Sequence, residues 1–249
     1  MEIKPHANRP VLNPCTLEGR NYQVDPYIGC GHYCYYCYVL NQAETDWTKE
    51  VWYHENLADR LEEAISGIQP QSIYMGWHTD PYQPCEKECC QTRQALELLQ
   101  SKGFSAGVLT KSDLILRDMD LLQKMDQASV SVSVAFKDNA VRQLFEADTM
   151  DTEPRIEALR KFKAAGVCAL KNNSISRRLI SEASFFFGQN KNHRRFNPTP
   201  IISLDYRTDK KLITRSCRSL RLNYKEQRYT AKNAAGYCGS HKSEQDRHG

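Results

Sequence analysis

Three cysteines fall within eight residues, in the stretch Gly29-Cys30-Gly31-His32-Tyr33-Cys34-Tyr35-Tyr36-Cys37-Tyr38. Thiolates are soft ligands suited to iron–sulfur chemistry, and one loop with the spacing Cys-x-x-x-Cys-x-x-Cys can wrap three of them around one face of a metal cluster. A four-iron cluster held by three cysteines keeps one iron open to a substrate or cofactor. Two other readings of the same residues stand beside this one: a closed ferredoxin-like cluster, and a zinc site completed by Cys15 or His32. Structural zinc usually takes paired Cys-x-x-Cys knuckles, and no second knuckle is present. Ten cysteines in 249 residues are too sparse for a disulfide-stapled mini-domain. Of the others, Cys89 and Cys90 are adjacent and Cys85 to Cys89 lies on a helical start, so these three read as free thiols.

The elements that must position this loop alternate. Residues 1–22, with Pro5, Pro10 and Pro14, read as an irregular lead-in, and Tyr22 to Ile28 as a strand ended by Gly29. Asn56 is a candidate N-cap for a helix carrying Leu57, Leu61, Ile65 and Ile68, which Pro70 ends. Ser72 to Gly76 is a strand. Ala95, Leu96, Leu98 and Leu99 mark a helix stopped by Gly103, and Phe104 to Thr110 is the next strand. Ser112 can cap a helix with Leu114, Met119, Leu122 and Met125. Ser129 to Phe136 alternates Ser and Val. Thr152 and Pro154 open a helix that Gly166 ends, and Val167 to Leu170 begins a fifth strand. Strand and helix in this rhythm imply a parallel sheet with right-handed crossovers. No glycine-rich dinucleotide fingerprint follows the first strand, which weighs against a Rossmann reading. In parallel α/β folds ligands gather at the C-terminal strand ends, so Trp77-His78-Thr79-Asp80 and Thr110-Lys111-Ser112 carry the next candidate residues.

The cysteine spacing, with an aromatic residue just before the third cysteine, resembles the signature of the radical S-adenosylmethionine enzymes. Gly76-Trp77-His78-Thr79-Asp80-Pro81-Tyr82-Gln83-Pro84-Cys85-Glu86, Leu109-Thr110-Lys111-Ser112 and Leu116-Arg117-Asp118 resemble the branch containing spore photoproduct lyase and its photolyase-like relatives. The likeness covers residues 20–170. It implies a partial (β/α) barrel of parallel strands with outer helices, incomplete here at its C-terminal end. Cys30, Cys34 and Cys37 would hold three irons of a 4Fe-4S cluster, and S-adenosylmethionine would chelate the fourth. An electron would then cleave its sulfonium to methionine and a 5′-deoxyadenosyl radical.

By the same resemblance Lys111 would pair with the cofactor's carboxylate. Ser131 and Ser133 would face it from the barrel lumen, and Tyr36 would stand beside it. Thr79 and Asp80 would either bind cofactor or substrate or cap the following turn. His78 would donate a proton, stack on a ring or play a structural part. In spore photoproduct lyase a hydrogen-donating cysteine precedes the corresponding Ser-Asp pair. Trp77 and His78 hold that place here, and Cys85 could substitute only if its loop folded back. The implied partners are a reductant such as flavodoxin or ferredoxin and a nucleic-acid or nucleobase-bearing substrate.

Charge divides the chain. Residues 1–170 carry 17 basic and 24 acidic residues, and residues 171–249 carry 17 and 6. The first part reads as the catalytic core, with the cluster loop at residues 29–38, and the second as a basic tail. Arg194-Arg195, Lys210-Lys211 and Arg215-Ser216-Cys217-Arg218, interleaved with Tyr206, Tyr224 and Tyr229, suggest either nucleic-acid binding or an irregular, frameshifted or truncated end. A non-catalytic, metal-holding nucleic-acid-binding protein is therefore the competing function. The longest apolar runs are short of the ~20 residues of a membrane span, and residues 1–10 lack the apolar run of a secretory signal. A cytoplasmic protein without membrane partners is the expectation.

Overall fold

A computed structural model describes residues 1–172, to which the structural statements below refer. The strands are β1 (Glu2–His6), β2 (Leu12–Pro14), β3 (Tyr22–Val24), β4 (Tyr27–Ile28), β5 (Glu50–His54), β6 (Ser72–Met75), β7 (Ser105–Thr110), β8 (Ser129–Ser133) and β9 (Cys168–Asn172). The helices are α1 (Leu57–Ile65), α2 (Glu86–Cys89), α3 (Gln91–Ser101), α4 (Met119–Leu122), α5 (Asn139–Phe145) and α6 (Thr152–Ala164). Six strands form the main sheet in the order β2-β3-β6-β7-β8-β9. From β3 onward every neighbour is parallel, while β2 is antiparallel on the edge. The chain is thus α/β with a mixed, mainly parallel sheet. A smaller sheet of order β1-β5-β4 stands apart from it.

The core follows from side-chain period. Leu57, Leu61 and Ile65 recur every four residues on α1 and are all buried, as are Ala95, Leu96 and Leu99 on α3. They pack with Ile73 and Met75 of β6, Ala106 and Val108 of β7, and Val130 and Val132 of β8. Each such large aliphatic side chain contributes roughly 1.5–3 kcal/mol by leaving water. Period two turns Ser129 and Ser131 away from the valines, and both are half-buried.

Several expectations are corrected. Residues 1–22 hold β1 and β2 as well as loops. β1 lacks an apolar stripe because it lies on the edge of its sheet, where Pro5 costs no ladder bond. The single strand expected from Tyr22 to Ile28 is two strands in two sheets, divided at Asp25-Pro26. Asn56 is left-handed (φ 50°) and makes no side-chain cap bond, and α1 stops at Ser66, before Pro70 is reached. Ser112 does cap, accepting from Leu114 N at 3.2 Å, but a 3-10 turn over Asp113–Asp118 precedes the short α4. β5 and α5 were not foreseen. α5 carries a legible start, since Asp138 accepts from Ala140 N at 2.7 Å.

All five parallel strands end on one rim. Gly76 closes β6 with φ +103°, and a Cβ there would run into the Leu109 carbonyl oxygen, so only glycine lets this end lie against β7. Among the described residues no helix is long and apolar enough to cross a membrane. The basic segment 171–249 lies outside the described residues, apart from Lys171 and Asn172.

Candidate metal and cofactor site

The cysteine loop leaves β4 through Gly29, whose φ of +93° and contact with the Trp47 ring leave no room for a side chain. Each cysteine then opens a tight turn. Cys30 O accepts from Tyr33 N at 3.2 Å, Cys34 O from Cys37 N at 2.9 Å, and Cys37 O from Leu40 N at 3.3 Å. The spacing of four and three residues is thus the spacing of consecutive turns in one coil of chain. None of Cys30, Cys34 and Cys37 is joined in a disulfide, and Cys34 is buried while the other two are half-buried. Burial, then the Asp80 carboxylate and the Cys34 thiol, pushes Cys30 well above the ordinary thiol value. Burial also pushes Cys34 up to about 12, with the Lys111 ammonium pulling the other way.

The segment after β6 grips this loop. Thr79 Oγ1 donates to Gly29 O at 2.6 Å, and Gln83 Nε2 donates to the same oxygen at 3.1 Å. Gln83 Oε1 accepts from Gly31 N at 2.7 Å. His32 bridges Asp80 Oδ2, at 3.4 Å from Nε2, and Asp148 O, at 3.1 Å from Nδ1. Asp80 also accepts from Tyr82 N at 2.9 Å, Thr110 Oγ1 at 2.6 Å and Lys111 N at 2.7 Å. Burial opposes its charge, but His32, Lys111 and Thr110 outweigh burial and hold the carboxyl down to about 2. Thr79 and Asp80 therefore spend their polar atoms on protein partners, and Asp80 caps the turn that follows it.

Lys111 is half-buried at the end of β7, with its Nζ 5.8 Å from the centre of the Tyr36 ring. Burial would lower its pKa, yet Cys34, Glu146, Asp80 and Cys37 raise it overall, so the ammonium stays charged. The Tyr36 hydroxyl donates to the Glu146 carboxylate. Burial, reinforced by Cys34 and Glu146, lifts that phenol far above its usual range. Glu146 pairs with Arg155 at 2.9 Å, both side chains being almost fully buried. Arg155 also donates to the Ser133 carbonyl at 2.9 Å. Ser133 is buried at the end of β8, and Ser131 is half-buried two residues earlier.

His78 lies on the same rim, its Nδ1 2.9 Å from Asp25 Oδ2, while Trp77 N and His78 N donate to Asp25 Oδ1. Tyr38 donates to Trp77 O at 2.9 Å, which ties the end of the cysteine loop to this rim. Cys85 is buried with Tyr27 and Val51 in a small apolar cluster, so its loop does not fold back to Trp77 and His78. Cys85, Cys89 and Cys90 are free thiols. A buried charge network holds the 79–86 segment from behind. Tyr82 donates to Asp118 at 3.0 Å, Arg117 pairs with both Asp118 and Glu86, and Tyr27 donates to Glu86.

Gln83, Glu146, Arg155 and Asp25 are the site residues that sequence reasoning missed. Gln83 stood in view within Thr-Asp-Pro-Tyr-Gln-Pro. Glu146 caps the end of α5 and Arg155 lies on α6, and no local pattern ties them to the loop.

The model of the radical SAM superfamily matches residues 24–175. The chain belongs to the radical SAM superfamily. That family uses a 4Fe-4S cluster and S-adenosylmethionine. An uncharacterised protein of Methanocaldococcus jannaschii is 33% identical over 170 residues, which cover 66% of this chain and 63% of that protein. An uncharacterised protein of Mycobacterium tuberculosis is 29% identical over 169 residues, 63% of this chain and 49% of its own length. The chain thus spans between about half and under two thirds of the length of these relatives. Among solved structures, spore photoproduct lyase complexed with dinucleoside spore photoproduct superposes with a TM-score of 0.58 at 16% identity, over 74% of this chain and 55% of that one. A mutant of the lyase with bound AdoMet and the same dinucleoside gives 0.51 at 16% identity, over 68% and 49%. At such identity the likeness is one of fold.

Proposed function

We propose that this chain is a radical SAM enzyme whose Cys30, Cys34 and Cys37 hold three irons of the cluster, and that it acts on a nucleobase-bearing substrate. The observation that carries the reading is three cysteines on consecutive turns of one loop, none joined in a disulfide, with the Lys111 ammonium acting on Cys34 and Cys37. The donor set fits the cluster: three soft sulfur ligands on a single coil of chain. Held by Cys30, Cys34 and Cys37, the cluster would supply the electron for reductive cleavage of the S-adenosylmethionine sulfonium.

The chain's own residues bind and orient. Each thiol gives up its proton on ligation, and the fixed charge of Lys111 favours the thiolates it faces. Lys111 also offers its ammonium to the carboxylate of S-adenosylmethionine, with Ser131 and Ser133 as polar groups on the neighbouring strand end. Tyr36, anchored through Glu146, keeps a ring beneath that ammonium and water away from the loop. Thr79 and Asp80 act on the cofactor at one remove, by shaping the loop.

In this reading residues 1–170 carry the radical core, and residues 171–249 are rich in basic residues. A reductant such as flavodoxin or ferredoxin supplies the electron in a reducing cytoplasm. The nucleobase-bearing substrate is drawn from the fold shared with spore photoproduct lyase. Anaerobic reconstitution with iron and sulfide tests the cluster assignment. About four irons and four sulfides per chain are expected, with a reduced-state paramagnetic signal that S-adenosylmethionine perturbs. Zinc without sulfide, or a signal indifferent to S-adenosylmethionine, would favour the non-catalytic alternative.

A further inference from the structure

We infer that Gln83 is the positioning residue that aims Cys30 at the cluster, an inference that rests on reading Cys30 as a ligand. Two planar peptide groups flank Cys30. The first carries the Gly29 carbonyl, and the second carries the Gly31 N–H. Gln83 holds both: its Nε2 donates to Gly29 O at 3.1 Å and its Oε1 accepts from Gly31 N at 2.7 Å. Fixing both peptide planes fixes φ and ψ of Cys30, and these set the direction in which its Cβ and sulfur leave the chain.

Gln83 suits this task in three ways. It is fully buried, so water does not compete for either bond. Its second N–H donates to Thr79 Oγ1 at 3.0 Å, and that hydroxyl donates in turn to Gly29 O at 2.6 Å, so the carbonyl is gripped twice. The amide orientation is also determined, because a flipped amide would set its NH2 against the Gly31 N–H. Only a residue that donates and accepts at once can bridge the two peptides. Glutamate would lose both donations and set a carboxylate against the Gly29 carbonyl. Cys30, like Cys34 and Cys37, opens a turn of its own, but it follows a positive-φ glycine, and Gln83 adds an outside grip on its two flanking peptides. The Thr79–Gln83 segment is thus a template for the first ligand and not a surface for substrate.

Full-length wild-type, Gln83→Leu and Tyr82→Phe proteins, reconstituted anaerobically, test this. Tyr82→Phe removes a buried bond to Asp118 from the same segment without touching the loop. Iron release to a chelator is measured beside the reduced-state paramagnetic spectrum and the melting temperature of each metal-free protein. Gln83→Leu is expected to release iron about tenfold faster with an altered spectrum, the size of effect that outer-shell changes have at metal sites. Tyr82→Phe should keep the wild-type rate. A wild-type rate and spectrum in Gln83→Leu would overturn the role, as would iron loss in both variants that merely tracks their lost melting temperature. Should Gln83→Leu fail to fold, Thr79→Val removes one of the two grips on Gly29 O. It should shift the rate in the same direction by less, and no shift overturns the proposal. A wild-type chain that takes up no cluster overturns the ligand reading and this role together. A wild-type cluster indifferent to Gln83 overturns this role alone.

Discussion

Lys111 carries a charge that burial disfavours, and it keeps that charge because Cys34, Glu146, Asp80 and Cys37 surround it. Filling the loop with a metal cluster turns thiols into ligands but leaves Glu146 and Asp80 in place, so the ammonium remains available to a carboxylate. A buried charge-assisted bond contributes ~1.5–3 kcal/mol. Lys111→Ala should therefore weaken S-adenosylmethionine binding by roughly tenfold to a hundredfold. Its iron content should be unchanged, since no metal ligand is removed. Anaerobic calorimetric titration against iron-matched samples checks this, and equal affinities would take Lys111 out of the cofactor site. Asp80 works differently. Its carboxylate accepts from Tyr82 N, Thr110 Oγ1 and Lys111 N and lies 3.4 Å from His32 Nε2, so it locks three segments together.

At the scale of elements, the Glu146–Arg155 pair joins the end of α5 to α6 and, through the Ser133 carbonyl, to the end of β8. Removing one partner of a buried pair costs about 3–5 kcal/mol because the other charge is stranded. Arg155→Met should lower the urea-unfolding free energy by that amount, and the Glu146→Gln/Arg155→Met double variant should recover part of the loss. A single variant within ~1 kcal/mol of wild type would mean the pair is solvated, contrary to its burial. This junction was illegible in the sequence because it joins α5, an unforeseen helix, to α6 through side chains nine residues apart with no shared periodicity. The sheet was legible where burial imposes a period: Val130 and Val132 between serines, and Leu57, Leu61 and Ile65 every four residues. β1 and β5 were not: β1 is an edge strand with Pro5 and mostly exposed side chains, and β5, in the middle of that sheet, buries Val51 and His54 without alternation. The cysteine loop was legible because spacing alone encodes its turns. The template behind it was only half so, since Thr79 and Asp80 drew attention as possible ligands while Gln83 did not.

Taken whole, the described chain couples a parallel sheet to a cysteine loop on its rim, and its stability has a built-in acid limit. His54 is buried, and burial, with the Arg60 charge, pushes its pKa down to about 4. The unfolded chain protonates it near 6.5, so between pH 6.5 and 4 the unfolded state binds a proton that the folded state refuses. Stability should fall through that window as pH drops, by up to about 3 kcal/mol from this group. His54→Gln should flatten the slope of urea midpoint against pH, and an unaltered slope would assign the acid sensitivity elsewhere. The central claim is chemical, and the formation of 5′-deoxyadenosine tests it most directly. The reconstituted full chain, reduced with dithionite beside S-adenosylmethionine, should release 5′-deoxyadenosine and methionine in equal amounts, while Cys34→Ala should release neither above background. A wild-type chain with a complete cluster that leaves S-adenosylmethionine intact would contradict the account.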